Sequence, residues 1–275
     1  MPGPQYPPPD HLLRDLAVRG VRHHDHSRNE LPFQPGVADR SGHVRLGIAA
    51  TLLDMTGAGI ALDAVRPDWI ATADLSCHLF DPPAGDVSVT CHPLRVGAST
   101  VIVSAELRDE TGEIRGSGRM TFARIPGSAT KAAVASPRAE GREPVPFSID
   151  GGRPLLDPVL DRCAIREDRP GRLVLEKIPY VENSFGTVNG GVVALAAEAA
   201  AASAVGEPAR AVGLQVHYLE QVGSGPVEVT ARIVREGAAP LCEVRLVDRG
   251  ADRLVAVADV AVDRSDFSVD PAVGS

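Results

Sequence analysis

The segment that decides the fold reads NSFGTVNGG, residues 183–191, and it opens the most apolar stretch of the chain. That stretch continues to Val205 with a single acid, Glu198. Adjacent glycines permit a tight turn, and the alanine-rich run behind them favours a helix. Apolar residues cover most of the surface of this helix, which is typical of a buried helix. We therefore expect a glycine-rich turn followed by a buried helix over about residues 192–205.

A second copy of this pattern lies earlier in the chain. Residues 42–47 (GHVRLG) open another apolar segment, and Asp54 follows the last glycine by seven residues, as Glu198 does in the later copy. The halves then keep their spacing at three further landmarks, which are residues 75–80 with 214–219, 87–90 with 227–230, and 95–97 with 235–237. Repeated landmarks in one order favour a tandem duplication.

Both halves predict the same secondary structure. The first helix is expected over about residues 48–65, and each helix precedes alternating, β-branched runs that predict strands. The strands are expected at about 71–80, 86–96, 99–107 and 116–125, then at 211–219, 226–235, 242–248 and 254–262. A further helix is expected over residues 10–19. One buried helix wrapped by an antiparallel sheet in each half is the simplest packing, and it gives an α+β fold.

The domain boundaries follow from composition. Residues 126–152 are rich in Pro, Gly, Ala and Ser and have neither a helical nor a strand period, so they are predicted to be a linker. The linker separates a first domain at residues 10–125 from a second domain at residues 153–265. Residues 1–9 and 266–275 are predicted to be disordered.

Composition and charge exclude several classes of protein. The 275 residues carry a formal net charge of −8, which excludes a globally basic nucleic-acid binder. The four cysteines form no C-x-x-C pair, so we expect neither a disulfide framework nor a metal site, and a cytoplasmic setting fits better. The N-terminus does not resemble a signal peptide, and we expect no membrane span.

The glycine-rich turns point to a binding place for a polarised carbonyl. A helix N-terminus presents unpaired N–H groups and about half a positive charge, and glycines let a substrate approach the backbone. Seven residues turn a helix by about 700°, so each acid lies on the stripe of its own starting glycine but about 10 Å away. An antiparallel partner helix would bring its acid opposite that start. We therefore predict composite sites between the two halves.

Neither acid has a salt-bridge partner on its own helix. The neighbours three and four positions away are small or apolar: Ala50, Thr51, Gly57 and Ala58 around Asp54, and Ala194, Leu195, Ala201 and Ala202 around Glu198. A carboxylate in such surroundings tends to have a raised pKa and is a candidate general base. The alternative for each is a structural acid paired with a distant arginine.

The pattern N-x-x-G-x-x-H-G-G, followed by an acid seven residues later, resembles that of hotdog-fold acyl-CoA thioesterases, most closely those of the phenylacetate pathway. The resemblance implies two tandem hotdog domains paired as a pseudo-dimer, in which the turn of one unit meets the acid of the other. It implies a small-molecule acyl-CoA substrate and no cofactor beyond the CoA moiety. The acid activates water or attacks the thioester carbonyl directly, and the helix-start N–H polarises that carbonyl.

The resemblance carries over to two unequal sites. Site one joins Asn183, Asn189 and Gly191 to Asp54 and Thr72, and it departs from the family only where Asn189 replaces the usual histidine. Site two joins Asp39, Arg45 and Gly47 to Glu198 and Ala211. It departs further, because Arg45 replaces the histidine and would neutralise an acid. We expect site one to be active and site two degenerate.

Three residues are candidates for substrate binding. Gly190 is expected to approach the substrate, and Arg95 and Arg235 are candidates for the CoA phosphates, with solvated strand ends as the alternative.

His78 and His217 are expected at a strand surface, and residues 23–26 (HHDH) in a solvated segment. Residues 31–37 are similar to a segment of hotdog dehydratases, but Glu30 stands where those need a histidine.

The alternative function is a catalytically inactive module that binds acyl-CoA or another acyl ligand, since both halves lack the motif histidine. The sequence leaves open whether the pseudo-dimer stays monomeric or pairs again into a homodimer.

Overall fold

The computed structural model describes residues 6–126 and 143–264, and its architecture is a single antiparallel sheet that carries two long helices. The helices α1–α4 are Leu12–Asp15, Leu46–Val65, Val159–Arg162 and Gly190–Val205. The strands β1–β13 are Arg19–Arg22, Ser27–Leu31, Trp69–Leu79, Val87–Val96, Thr100–Asp109, Ile114–Ile125, Val145–Ser148, Ile165–Arg169, Arg172–Leu175, Arg210–Tyr218, Val227–Arg235, Leu241–Asp248 and Arg253–Asp263.

The two halves share one sheet. Its strand order is β7-β1-β2-β4-β5-β6-β3-β10-β13-β12-β11-β9-β8, so β3 and β10 meet at the junction of the halves. These two strands pair antiparallel, with Leu75 opposite Val216 and Cys77 opposite Leu214. All four side chains are buried, so the apolar face of the sheet continues from one half into the other. The duplicated units are thus joined side by side through their sheets.

The helices α2 and α4 pack against this face and against each other. They run antiparallel, because Gly47 near the start of α2 lies against Leu195 of α4, while Thr51 lies against Gly191. A β-carbon on Gly47 would come within 3.0 Å of Cα of Leu195, so the crossing requires a residue without a side chain there. By length and composition α2 could cross a membrane, but here it is a core helix buried between sheet and partner helix.

The eight strands and two long helices predicted from the repeat are present, with ends that differ by two residues or fewer. The long helices each begin two residues earlier than predicted, because the turn leads directly into them.

The predicted helix over residues 10–19 is wrong beyond its first part. Helix α1 covers only Leu12–Asp15, and Ala17 adopts a positive φ of 52°, which ends the helix and turns the chain into β1. The leucines at the start of this segment are buried, so the apolar pattern reflects packing and not a long helix.

Two segments predicted to lack regular packing, the linker and the N-terminal segment, contain ordered residues. Within residues 126–152, the segment Val145–Ser148 forms β7 and pairs with β1. Val145 and Phe147 are less exposed than Pro146 and Ser148, a short alternation that the Pro- and Gly-rich surroundings obscure. Within the N-terminal segment predicted to be disordered, Tyr6 packs against the core, and its hydroxyl donates a hydrogen bond to the Glu182 carbonyl oxygen at 3.3 Å. The predictions for residues 1–5 and 266–275 lie outside the described residues.

Candidate active site

Site one is built around the start of α4. Asn189 is the N-cap residue of this helix, and its Oδ1 accepts a hydrogen bond from the Gly191 N–H at 2.9 Å. Its backbone carbonyl accepts from the N–H groups of Val192 and Val193. Among the described residues, no group accepts a hydrogen bond from the Gly190 N–H. The donor left open at this helix start is therefore Gly190 and not Gly191, the residue that the sequence pattern indicated.

Asp54 of α2 lies opposite this helix start. Its Oδ1 accepts a hydrogen bond from Thr72 Oγ1 at 2.8 Å, and its Oδ2 would lie 3.5 Å from a β-carbon placed on Gly190. Burial raises the pKa of Asp54 to about 6, and the Thr72 hydrogen bond opposes that rise. The carboxylate thus has a neutral partner on one oxygen and faces the helix start with the other.

Tyr218 also lines site one, although nothing in the motif indicated it. Its hydroxyl donates a hydrogen bond to the Gly190 carbonyl oxygen at 2.9 Å, and its ring lies beside the same glycine. Tyr218 ends β10, where Leu214 and Val216 also face the helices. The strand alternation predicts the inward direction of this side chain, but its contact with Gly190 depends on how the two halves pack.

In site two an acid also lies opposite the start of the partner helix, but this acid has different partners. Glu198 of α4 lies opposite the start of α2 and is buried. Its Oε1 lies 3.0 Å from Nη2 of Arg45, and its Oε2 accepts hydrogen bonds from Arg45 Nε and the Gly47 N–H, both at 3.3 Å. Burial raises the pKa of Glu198, and the guanidinium opposes that rise. Each carboxylate oxygen of this acid thus already has the guanidinium or the helix-start N–H as a partner.

The motif residue Asn183 shapes the loop before α4. Its Oδ1 accepts hydrogen bonds from the N–H groups of Phe185 and Thr187, and its Nδ2 donates to Thr187 Oγ1. These three hydrogen bonds lie within the loop, and the structure shows no hydrogen bond between this side chain and Asp54. Asn183 thus orders the turn before α4, and its catalytic role stays a prediction.

Asp39 makes the equivalent turn in the first half. Its Oδ1 accepts from the N–H groups of Ser41 and His43, and its Oδ2 accepts from Nε of Arg210 at 2.8 Å. Arg210 belongs to β10, so this ion pair crosses between the halves, and Nη2 of the same arginine also contacts Ser41. No motif indicates Arg210, which begins β10 beside the register shift between Ala211 and Gly213.

The surroundings of the two sites also differ. Beside site one, Trp69 of β3 and Phe185 of the second-half loop form an edge-to-face pair with ring centroids 5.2 Å apart. Near the loop of site two, Arg40 pairs with Glu207, each one position before the repeat counterparts of Phe185 and Trp69. Ala211 supplies no hydroxyl where site one has Thr72. One site is flanked by aromatic rings and the other by ion pairs.

The remaining candidates lie outside these clusters. Arg95 and Arg235 are exposed near the ends of β4 and β11, and the strand order puts Arg95 three strands, about 14 Å, from β3. His78 and His217 are exposed on the outer face of the sheet, where His217 Nδ1 lies 2.6 Å from Asp74 Oδ2.

The HHDH segment connects β1 and β2, with His23 stacked on His26. Among the described residues, no group of three or more His, Cys, Asp or Glu side chains is arranged to hold a metal ion.

Comparison with known proteins supports the resemblance seen in the motif. Residues 181–262 match the family model described as the acyl-CoA thioesterase N-terminal domain, and this range contains the α4 turn, Glu198 and Tyr218. No curated protein sequence is significantly similar to the chain. The resemblance to acyl-CoA thioesterases is thus confirmed for residues 181–262, while the phenylacetate-pathway type is not.

Solved structures of thioesterases share the fold over nearly the whole chain. An acyl-ACP thioesterase from Bacteroides thetaiotaomicron VPI-5482 is 16% identical, with a TM-score of 0.57, and the match covers 86% of this chain and 98% of that one. The 12:0-ACP thioesterase from Umbellularia californica is 13% identical, with a TM-score of 0.59 and coverage of 87% and 94%. These matches confirm the predicted α+β tandem hotdog fold.

Proposed function

We propose that this chain, whose second half is an acyl-CoA thioesterase domain by sequence, hydrolyses an acyl-CoA to a free acid and CoA at site one. The observation that carries the proposal is the pairing of Asp54 with the start of α4 across the two halves. A carboxylate with a raised pKa beside an unpaired helix-start N–H supplies the base and the polarising donor that hydrolysis of a thioester needs.

The chemistry follows from the two oxygens of Asp54. Thr72 holds Oδ1, so Oδ2 is the oxygen that takes a proton from water as the water oxygen bonds to the thioester carbonyl carbon. Negative charge develops on the carbonyl oxygen and is stabilised by the Gly190 N–H and the positive end of α4. The C–S bond then breaks, and the proton on Asp54 passes to the leaving thiolate. The products are the acid and the free thiol.

Asn189 takes the motif position in which the family has histidine. Its Oδ1 caps Gly191, so in this protein the side chain orders the helix start and has no proton to give at neutral pH. Asp54 is then the one group of site one that both accepts and returns the proton.

Site two is proposed to be inactive. The positive charge of Arg45 and the Gly47 N–H stabilise the ionised form of Glu198, which makes this carboxylate a weaker base than one without a cation beside it. A duplicated protein needs one working site, and the second copy of the motif is then free to stabilise the interface.

The test is thiol release from a panel of short, long and aromatic acyl-CoAs, with an acyl carrier protein thioester beside them. The proposal expects turnover of at least one acyl-CoA. Turnover of the carrier-protein thioester alone would mean that the substrate is an acyl carrier protein thioester and not an acyl-CoA. Thermal stabilisation by acyl-CoA without any hydrolysis would replace the enzyme by an acyl-ligand binding module.

A further inference from the structure

Tyr218 occupies a position at which the two halves differ. In the aligned repeat its counterpart is Leu79, which ends β3 and is buried among apolar side chains. The tyrosine instead places a hydroxyl on the Gly190 carbonyl oxygen, at 2.9 Å, at the start of α4. The half that contains Tyr218 is the half whose helix start faces Asp54, so the difference falls on the site proposed to be active.

Tyr218 binds the peptide group between Gly190 and Gly191, and hydrogen bonds restrain this group at both ends. The carbonyl of Gly190 and the N–H of Gly191 belong to the same planar unit. Tyr218 binds its oxygen, and Asn189 Oδ1 binds its N–H. Two adjacent glycines at the first turn of a helix would otherwise have wide conformational freedom and would fray. The Gly190 N–H lies on the preceding peptide, whose Asn189 carbonyl accepts hydrogen bonds from the N–H groups of Val192 and Val193. With the peptides on both sides of Gly190 held, the backbone angles of this glycine are fixed, and so is the direction of its N–H.

The hydroxyl of Tyr218 is kept in its donating form. Burial raises the pKa of Tyr218, and the nearby negative charges of Asp54 and Asp74 raise it further. The ring stands beside Gly190, with Cε1 3.5 Å from the place of a β-carbon there. A glycine at this position leaves room for both the ring and the substrate.

We propose that Tyr218 is a positioning residue of site one: its hydroxyl fixes the Gly190–Gly191 peptide and thereby directs the Gly190 N–H at the thioester carbonyl. The proposal rests on the proposed function, and it adds a group that acts through the backbone without touching the reacting atoms. Since the N–H matters most when charge develops on the carbonyl oxygen, loss of the hydroxyl acts on kcat more than on KM.

The kinetic test compares Tyr218→Phe with Tyr180→Phe. Tyr180 is a matched control, because its hydroxyl donates to buried Asp15 of α1 at 2.9 Å and not to a group of site one. Tyr218→Phe is expected to lower kcat about tenfold, equivalent to about 1.4 kcal/mol, with KM changed less than twofold. Tyr180→Phe is expected to keep the wild-type kcat. An unchanged kcat in Tyr218→Phe, or a change in KM alone, would overturn the proposal.

A spectroscopic test reports on the same peptide without turnover. The sequence has only two Gly-Gly pairs, 151–152 and 190–191, so protein labelled with ¹³C-carbonyl and ¹⁵N glycine gives two carbonyl-to-amide correlations. Tyr218→Phe is expected to move the Gly190 carbonyl resonance upfield and leave the other pair in place. An unmoved resonance would refute the hydroxyl contact. A wild type without turnover would instead refute the proposed function, whatever the resonance does.

Discussion

Arg45 and Glu198 form a buried ion pair across the two halves, with Nη2 of the arginine 3.0 Å from Oε1 of the glutamate. At the equivalent place in the other composite site, the one hydrogen-bond partner of Asp54 among the described residues is the neutral hydroxyl of Thr72. The same position on the two helices thus carries an acid paired with a cation in one site and an acid paired with a hydroxyl in the other. The duplicated sites have diverged in the partners of their acids.

Removing Arg45 is expected to destabilise the fold without removing activity. Arg45→Met leaves Glu198 buried without its cation, which costs about 3–5 kcal/mol in the free energy of unfolding. Chemical denaturation measures this loss. Arg45→Met combined with Glu198→Gln is the control, and it is expected to recover much of the stability because no uncompensated charge remains. A single variant as stable as the wild type would show that the pair contributes little.

The pH dependence of hydrolysis is expected to follow Asp54. Because the base must be ionised, kcat/KM is expected to rise with pH and level off above a pKa of about 6. Thr72→Val removes the hydrogen bond that lowers this pKa, so its profile is expected to move to higher pH. The measurement is kcat/KM from pH 4.5 to 8.5 for both proteins. Identical profiles would mean that Thr72 does not bind the titrating group.

The charge on Asp54 is expected to cost stability. Burial raises the pKa in the folded state above its unfolded value, so the folded protein binds the proton more tightly and loses stability as the pH rises through about 6. Asp54→Asn removes the charge and is expected to raise Tm at pH 8, by about 2–4 °C for each kcal/mol recovered. At pH 4 the two proteins are expected to melt alike. A lower Tm for the variant at pH 8 would contradict a raised pKa.

The helix crossing is expected to tolerate no side chain at Gly47. Gly47→Ala places a methyl group against the backbone of Leu195 and is expected to lower the free energy of unfolding by about 1–3 kcal/mol. Gly223→Ala is the matched control, since a β-carbon there meets nothing within 4 Å. Urea denaturation distinguishes the two. Equal midpoints for both variants would mean that the helices can move apart at little cost.

The repeated pattern predicts the fold well because burial repeats with it. The turn, helix and four strands of each half come from periodicity, and the spacing of Asp54 and Glu198 from their glycines predicts an acid opposite the partner helix. β7 is missed because the alternation of Val145 and Phe147 spans only four residues and lies in a Pro- and Gly-rich segment. Helix α1 is overpredicted, because a buried leucine pattern also fits a short turn.

The site is predicted less completely, because hydrogen bonds between the halves leave no mark in one sequence. Asn183 fits the motif but is held within its own loop, and Gly191 fits it but is already capped by Asn189. Tyr218 and Arg210 have no motif and reach their partners through the packing of the two halves. Residue type predicts which side chains are able to take part in the reaction. The packing of the two halves decides which of them are not already held by other hydrogen bonds.

The most direct test of the account compares wild type, Asp54→Asn and Glu198→Gln in thiol release from the best acyl-CoA of the panel. Asp54→Asn is predicted to remain folded and to lose about 10²–10⁴-fold in kcat, which is the usual contribution of a general base. Glu198→Gln is predicted to hydrolyse the same substrate with kcat within about twofold of wild type. Loss of turnover in Glu198→Gln with activity retained in Asp54→Asn would contradict the assignment of the active site.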